Sequence, residues 1–465
     1  MEQPETYDKA YARKALILFS GFIIIVMYIE TMLVPSLPSI ARSYNATPAQ
    51  ISLILSLYLI SGIALNPIVG RLADIYGKKK MLTYILPIYT VAVGITGFAP
   101  NLPFIFVARF IQGIGLTIFP LAMSLVREQF PREEIPRAQG MLSAMFGVGA
   151  AIGLPIGASI SNAYGWQTTY HTALPFVAIF TALILIYIKE SKYLKPNIKI
   201  DYLGAVLLAV SLAALVFVLS EGTAIGWTSM PMIALMAIGL ASLAAFLKFD
   251  RKDRASVIDF PMLRKRNILI SNLIVLVVGL SFFLGYQAYA YEFESPAPLG
   301  YGFDISQTGL ALVPFAITNI IMAPIVGRSV SRIGTKPFLY IGAIITILGF
   351  AVSAYVHSSL MLIFGAAIVG AGLSMLQVSL INVLVFSVNP ADMGLATSMN
   401  TVFRFIGAAL GAPIAGVMIA EIASREAFVY SFLIGILGFA IILAISFYAH
   451  EVLGRHKKEM AQFNY

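Results

Sequence analysis

The sequence predicts an all-α membrane protein with about fourteen transmembrane helices, and three observations lead to this fold class. Hydrophobic residues make up 59% of the chain and charged residues only 11%, whereas about 25% of a typical soluble domain is charged. Apolar runs close to the length that crosses a bilayer recur along the whole chain. The basic residues are concentrated in every second loop between these runs, as in multi-pass membrane proteins.

Each run is close to the about 20 residues that an α-helix needs to cross the hydrocarbon. The first run follows Arg13 and Lys14 and is too long for the apolar core of a secretory signal, so we expect an uncleaved first helix. The alternating pattern of transmembrane β-strands does not occur in the sequence. The predicted helices cover residues 15–37, 50–69, 81–99, 103–126, 140–160, 168–188, 203–220, 230–247, 268–290, 306–326, 338–356, 359–381, 396–420 and 427–449.

The basic residues predict the orientation of the chain. Of the 31 Lys and Arg residues, only Arg42 and Arg425 fall in loops that the alternation assigns to the outer side. Arg109 and Arg404 fall inside predicted helices, and all the others lie on the opposite, cytoplasmic side. This asymmetry predicts a protein of the cell membrane with both termini in the cytoplasm.

Composition argues against several other classes of protein. The formal charge of +9 is spread over short loops and forms no basic, aromatic-interleaved face, so no nucleic-acid partner is expected. There is no cysteine, and the four histidines lack the spacing of metal ligands, so neither a metal nor a cofactor is expected. No phosphate-binding loop of an ATP-driven pump is present, and no catalytic arrangement of side chains indicates an enzyme.

Three short segments recur in the second part of the chain at nearly constant spacing. Residues 67–71 recur as 324–328, Gly113 and Gly115 recur as Gly370 and Gly372, and Gly153 and Pro155 recur as Gly411 and Pro413. Such repeats predict two six-helix halves of like topology. We therefore expect a first half at 1–190, linkers with two additional transmembrane helices at 191–260, and a second half at 261–465.

The loop between predicted helices 2 and 3 carries Gly70, Arg71, Asp74, Gly77 and Lys78 within the sequence G-R-L-A-D-I-Y-G-K-K-K. This loop resembles the signature G-x-L-a-D-r-x-G-r-k of the major facilitator superfamily. Its glycines allow a tight turn, and its charges can pair with a neighbouring helix end. The resemblance implies that Asp74 and Arg71 help to close the cytoplasmic side of a transporter. Positive-inside anchoring alone would explain the lysines but not Asp74.

Helix 4 contains the sequence R-F-I-Q-G-I-G, which begins at Arg109. It is similar to the superfamily motif R-x-x-q-G-x-g, which the family associates with proton coupling. A charged side chain is costly in lipid, so we expect Arg109 to face a polar cavity or a carboxylate. The equivalent residue in the second half is Ala366. A purely structural ion pair is the alternative.

Helix 5 carries Gly149, Gly153, Pro155 and Gly157. This segment looks like the antiporter signature g-x-x-x-G-P-x-x-G-G, which is found mainly in exporters of the superfamily. It departs from that signature because Leu154 separates Gly153 from Pro155. The proline and the glycines can produce a bend and a pivot, and ordinary glycine-rich helix packing is the alternative.

The count of fourteen helices resembles the drug:proton antiporter branch, which carries two extra central helices. That branch has an aspartate where this chain has Ile29, and here the acid is Glu30, about 100° further around the helix. Glu30 and Arg109 have similar predicted depths, roughly 10 Å below the outer boundary. The resemblance implies that both line one cavity, where Glu30 takes up a proton or meets a cationic substrate and Arg109 tunes its proton affinity. A purely structural ion pair, or a Glu30 turned away from the cavity by its shifted position, is the competing interpretation.

Three more charged residues lie within or just beyond predicted helices. Arg404 lies within helix 13, where it either faces the cavity or extends toward the cytoplasm. Glu292 and Glu294 lie beyond the predicted end of helix 9, and we interpret them as solvated residues of the outer rim.

The resemblance implies a proton-coupled antiporter that exports small amphipathic or cationic compounds by alternating access. Its partners would be a small-molecule substrate, protons and the lipid bilayer, and the chain is expected to act as a monomer. A proton-coupled transporter of one metabolite, such as an amino acid, sugar or siderophore, is a second interpretation. A non-transporting membrane receptor is a third, but it would not need Arg109 or two repeated halves.

Overall fold

The computed structural model describes residues 7–131, 133–191, 193–194, 200–249, 257–355, 357–388, 393–422 and 424–449. Both chain ends and part of the predicted linkers lie outside these residues. The long helices, numbered in chain order, are α1 (Lys9–Thr31), α2 (Pro48–Tyr76), α3 (Lys78–Thr96), α4 (Leu102–Gln129), α5 (Ile135–Ile152, continued by Ala158–Tyr164), α6 (Trp166–Tyr187), α7 (Tyr202–Ile225), α8 (Met230–Phe249), α9 (Arg266–Glu294), α10 (Ile305–Ile333), α11 (Lys336–Tyr355), α12 (Ser359–Ser387), α13 (Met393–Glu421) and α14 (Glu426–Phe447).

A helix lies at every predicted segment, and the described residues contain no strand, so the prediction of an all-α membrane protein is confirmed. By length and composition, 13 helices of the described residues are able to cross a membrane. The remaining one, α3, has 19 residues and begins with the three lysines that end the signature loop. These lysines lower the hydropathy of α3 without shortening it.

Two helices contain a local change of pitch at the glycine motifs. α4 passes through a 3₁₀ turn at Gly113–Thr117, and α5 passes through a π turn at Gly153–Gly157. Pro155 lies within the π turn, and since proline lacks a backbone N–H it cannot complete the regular α-helical pattern. Both interruptions lie in the membrane-spanning part of the chain.

The helices α2 and α10 have the same kinds of N-terminal and C-terminal caps. α2 begins with a capping box of Thr47 and Gln50, and α10 begins with a capping box of Asp304 and Gln307. Each pair lies at the spacing of the sequence repeat. Gly77 follows the last residue of α2 with φ of 111°, and Gly334 follows the last residue of α10 with φ of 103°, a conformation that favours glycine.

Close helix packing also recurs at equivalent positions. A Cβ on Gly113 would collide with the carbonyl oxygen of Tyr58, and a Cβ on Gly370 would collide with that of Phe315. The two carbonyl groups are separated in sequence by the same interval as the two glycines. The motif glycines therefore bring α4 against α2 and α12 against α10 in the same way.

The groups α1–α6 and α9–α14 meet closely at one end and separate at the other. Near the start of α2, the Ser56 hydroxyl donates to the Ala409 carbonyl at 2.7 Å, and the Gln287 amide donates to the Pro48 carbonyl at 3.0 Å. Near the other end, a Cβ on Gly70 or on Gly327 would meet no described neighbour within 4 Å. Among the described residues, the two groups are therefore apart on the side of the signature loop.

Candidate transport cavity

A cavity of about 1160 Å³ lies between the two groups of helices. It extends from Thr31 and Val34 on α1 and the turn after it to Arg71 and Asp74 of the signature loop. This volume is large enough for a drug-sized molecule. The cavity is therefore the candidate site for a transported substrate.

Glu30 lines this cavity from α1. The preceding residue, Ile29, is only 1% exposed and belongs to the hydrophobic core. Glu30 thus lies on the cavity side of α1. Ile29, at the position where the drug:proton antiporter branch has an aspartate, is buried in the core. Arg404 lines the same cavity from α13, and its guanidinium lies within electrostatic range of the Glu30 carboxylate.

Arg109 is fully buried and, unlike Glu30, is not part of the cavity lining found in the described residues. Its Nε donates to the carbonyl of Ile54 at 2.9 Å, and its Nη1 donates to Oε1 of Gln112 at 3.0 Å. The guanidinium also lies over the ring of Tyr58, 4.5 Å from its centroid. No salt bridge within 4 Å joins Arg109 to Glu30 among the described side chains, although the two lie within electrostatic range.

Gln112 is a partner of Arg109 that the sequence analysis did not identify. Its amide donates to the Thr96 hydroxyl at 2.5 Å and to the Ala92 carbonyl at 3.2 Å, so it links α4 to α3. The spacing of three residues between Arg109 and Gln112 places them on one helix face. That spacing is the sequence signal that could have identified the pair.

The second group of helices contributes an aromatic wall and several amides to the cavity, none of which the sequence analysis singled out. Phe282 stacks on Tyr286 with ring centroids 4.8 Å apart, and Phe315 lies 5.2 Å from Tyr286. Asn400 donates to Asn272 at 3.4 Å and lines the same space. The spacing of four residues between Phe282 and Tyr286 would have indicated a common helix face.

The signature loop forms an ion-pair network within the first group of helices. The Lys78 ammonium lies 3.2 Å from Asp74 and 2.8 Å from Glu128, and only 5% of its side chain is exposed. The Glu190 carboxylate accepts hydrogen bonds from the backbone N–H groups at the start of α3, at 2.9 and 2.8 Å. A carboxylate stabilises the positive end of the helix dipole. Arg71 lines the cavity beside this network.

The helix 5 motif packs directly on α1. A Cβ on Gly149 would approach the carbonyl of Ile24 to 2.5 Å, and a Cβ on Gly153 would come within 2.9 Å of the carbonyl of Tyr28. Gly157 meets the backbone of Met32 in the same way. Three successive turns of α5 therefore require glycine because the backbones are in close contact.

Two buried acids lie at the end of α9 that is away from the signature loop. The Glu294 carboxylate lies 3.2 Å from the guanidinium of Arg42, and the Glu292 carboxylate lies 3.2 Å from that of Arg425. Each glutamate side chain is 1% exposed. The interpretation of Glu292 and Glu294 as solvated rim residues is therefore wrong, because α9 continues to Glu294 and the two arginines provide the opposite charges.

Known proteins resemble this chain along most of its length. A family model described as Major Facilitator Superfamily matches residues 19–297 and 275–462. The multidrug resistance protein Stp of Mycobacterium tuberculosis is 25% identical over 406 residues, which cover 86% of this chain and 75% of that protein. Multidrug resistance protein 3 of Bacillus subtilis is 27% identical over 77% of this chain and 70% of its own length.

A further relative and a solved structure also resemble this chain along most of its length. The probable actinorhodin transporter of Streptomyces coelicolor is 25% identical over 89% of this chain and 73% of its own length. The crystal structure of a bacterial homologue of the human lysosomal transporter Spinster, inward-facing and unoccupied, covers 95% of this chain and 98% of its own, with a TM-score of 0.69 and 14% identity. The relatives are named as transporters and multidrug resistance proteins rather than enzymes. This multi-pass membrane protein therefore belongs to the Major Facilitator Superfamily.

Proposed function

We propose that this transporter is a proton-coupled antiporter that exports small amphipathic or cationic compounds. The observation that carries the proposal is an ionisable carboxylate, Glu30, on the wall of a cavity large enough for such compounds. The names of the multidrug relatives support the substrate class. The chain would act as a monomer, with lipid around its outer surface.

Competition between a proton and the substrate for one carboxylate would couple proton entry to substrate export. Glu30 lies within electrostatic range of Arg404 and Arg109, and the aromatic wall of Phe282 and Tyr286 lines the same cavity. A proton or a cationic substrate can each neutralise Glu30, and an uncompensated charge is costly inside a membrane protein. Binding of one would therefore favour release of the other, as antiport requires.

Alternating access would follow from the repeated architecture. The recurring capping boxes and glycine contacts support a first half at 1–190 and a second half at 261–465, with α7 and α8 inserted between them at 191–260. The state described here is open beside Asp74 and closed beside Glu294. Export would require the opposite state, in which Asp74 and Arg71 help to close the cytoplasmic side.

Ethidium transport in proteoliposomes tests this function. We expect purified protein to move ethidium against its gradient when a pH gradient is imposed, and to stop when a protonophore collapses that gradient. Ethidium movement that does not respond to the pH gradient would contradict proton coupling. Failure to move ethidium, together with pH-driven uptake of an amino acid or sugar, would favour the transporter of one metabolite.

A further inference from the structure

Two seams separate the first and the second group of helices. One lies between α2 and α13, and the other lies between α5 and α10. The repeat relates these seams to each other, because α2 corresponds to α10 and α5 corresponds to α13. The inserted helices α7 and α8 have no counterpart in the repeat, so a seam that contacts one of them differs from its equivalent.

The inserted helix α7 covers the α2–α13 seam along its length. At one end, Glu221 of α7 accepts a hydrogen bond from the Gln50 amide at 2.9 Å. Further along, one apolar cluster joins α7 to both helices of the seam. Its buried members include Ala205, Leu208, Leu212 and Val216 of α7, Leu59 and Ile63 of α2, and Met399 and Val402 of α13.

The α5–α10 seam is closed over only part of its length. In the half away from the signature loop, a Cβ on Gly309 would approach the carbonyl of Leu154 to 2.6 Å, and nearer the middle a Cβ on Gly147 would approach Ile320 to 2.6 Å. Beyond that point, a Cβ on Gly140 or on Gly327 would meet no described atom within 4 Å.

The cavity lining reaches the open part of this seam on the α5 side. Ser143 of α5 is exposed and also lines the cavity. On the outer surface of the same two helices, Met141 of α5 is 40% exposed and Ile325 of α10 is 49% exposed. Within the described ranges, no helix outside these two spans the seam in the way that α7 spans the other one.

We propose that lipophilic substrates enter the cavity from the inner leaflet of the bilayer through the α5–α10 seam, and that α7 blocks the equivalent entrance between α2 and α13. This proposal rests on the proposed function and on the predicted orientation. Amphipathic compounds partition into a bilayer with their apolar parts in the hydrocarbon. The exposed apolar surface of α5 and α10 fits such a compound, and Ser143 provides a polar group at the opening.

The first measurement does not depend on transport. Since the chain has no cysteine, a spin label can be attached to Ser143→Cys or to Thr401→Cys, a cavity residue of α13 behind the α7 cover. In nanodiscs we expect lipid-dissolved oxygen to relax the label at 143 strongly and the label at 401 weakly. Equal relaxation by oxygen at both positions would overturn the proposal.

The second measurement tests passage of a substrate. Ser143→Trp should slow pH-driven transport of the bilayer-partitioned dye Hoechst 33342 by about tenfold, because the indole narrows the opening. Ile152→Trp is the matched control, since Ile152 is 38% exposed on the same helix, lies outside the described cavity lining and is about 140° around the helix from Gly147, away from the seam. Wild-type rates in Ser143→Trp would overturn the proposed route. If the wild-type protein moves no dye, the proposed function is contradicted. If oxygen nevertheless relaxes the label at position 143 and not the label at position 401, the lipid-facing opening is supported.

Discussion

Arg42 and Glu294 form an ion pair, 3.2 Å between Nη2 and Oε2, that joins the first group of helices to the second. The arginine lies after α1 and is 64% exposed in its side chain, whereas the glutamate ends α9 and is 1% exposed. Glu292 forms an ion pair of the same length with Arg425, but both partners belong to the second group. Only the first pair must separate when the closed end of the cavity opens.

Replacement of Glu294 by Gln should therefore shift the protein toward the outward-open state. The lost pair is worth about 1 kcal/mol, or roughly a fivefold change in the ratio of the two states. An introduced Thr31→Cys, at the closed end of the cavity, should react about fivefold faster with an impermeant maleimide added outside. Glu292→Gln is the matched control, and an equal acceleration in both variants would contradict a role specific to the pair between the two groups.

Glu30→Gln should lower the rate of pH-driven ethidium efflux by about tenfold or more, while it preserves folding. The amide keeps the size of the side chain but cannot exchange a proton. Exchange of labelled for unlabelled ethidium without a pH gradient should persist. Glu133→Gln is a suitable control because that side chain is 68% exposed in a surface pair with Lys9. Full pH-driven efflux by a well-folded Glu30→Gln protein would leave the proton site unassigned.

Asp74→Asn should lower the turnover of transport by about tenfold with little change in KM or in thermal stability. Lys78 keeps its contact with Glu128 at 2.8 Å in the state described here, so this state tolerates the change. Lys78→Met should instead lower stability by about 1–3 kcal/mol, since it leaves two acids without their shared cation. Thermal unfolding in detergent and the separation of kcat from KM distinguish these outcomes. Normal turnover of Asp74→Asn at wild-type expression would rule out the gate.

Single introduced cysteines test the proposed orientation. A cysteine at Lys80, which is exposed at the signature loop, should resist an impermeant maleimide in intact cells and react after the cells are opened. A cysteine at Thr228, in the turn between α7 and α8, should react in intact cells. Labelling of Lys80→Cys from outside would reverse the proposed topology.

The sequence predicted the helices well because the bilayer sets their length and apolar character. The repeated glycines were also predictable, since close packing needs a small residue wherever it occurs. The end of α9 was not predictable in the same way. Glu292 and Glu294 read as solvated acids, because nothing near them in the sequence indicates the arginines at positions 42 and 425 that pair with them.

The cavity was only partly predictable for a similar reason. Glu30 and Arg404 were identifiable because isolated charges in apolar runs are unusual. Asn400, Phe282 and Phe315 were not, because amides and aromatic rings are common in membrane helices and their side relative to the cavity depends on how helices pack. The sequence correctly placed Arg109 in helix 4. It did not predict that the guanidinium is buried and bonded to the carbonyl of Ile54 on α2 and to Gln112 on α4.

The glycine contacts between α5 and α1 bear on how a proton would cross the membrane. Because Gly149, Gly153 and Gly157 hold α5 against the backbone of α1 over three turns, the two helices are expected to move as one rigid body. Glu30 is part of that body. A proton bound to Glu30 would stay on that side chain while the cavity opens first to one compartment and then to the other. The gates, rather than a chain of proton donors, would then decide on which side the proton is released.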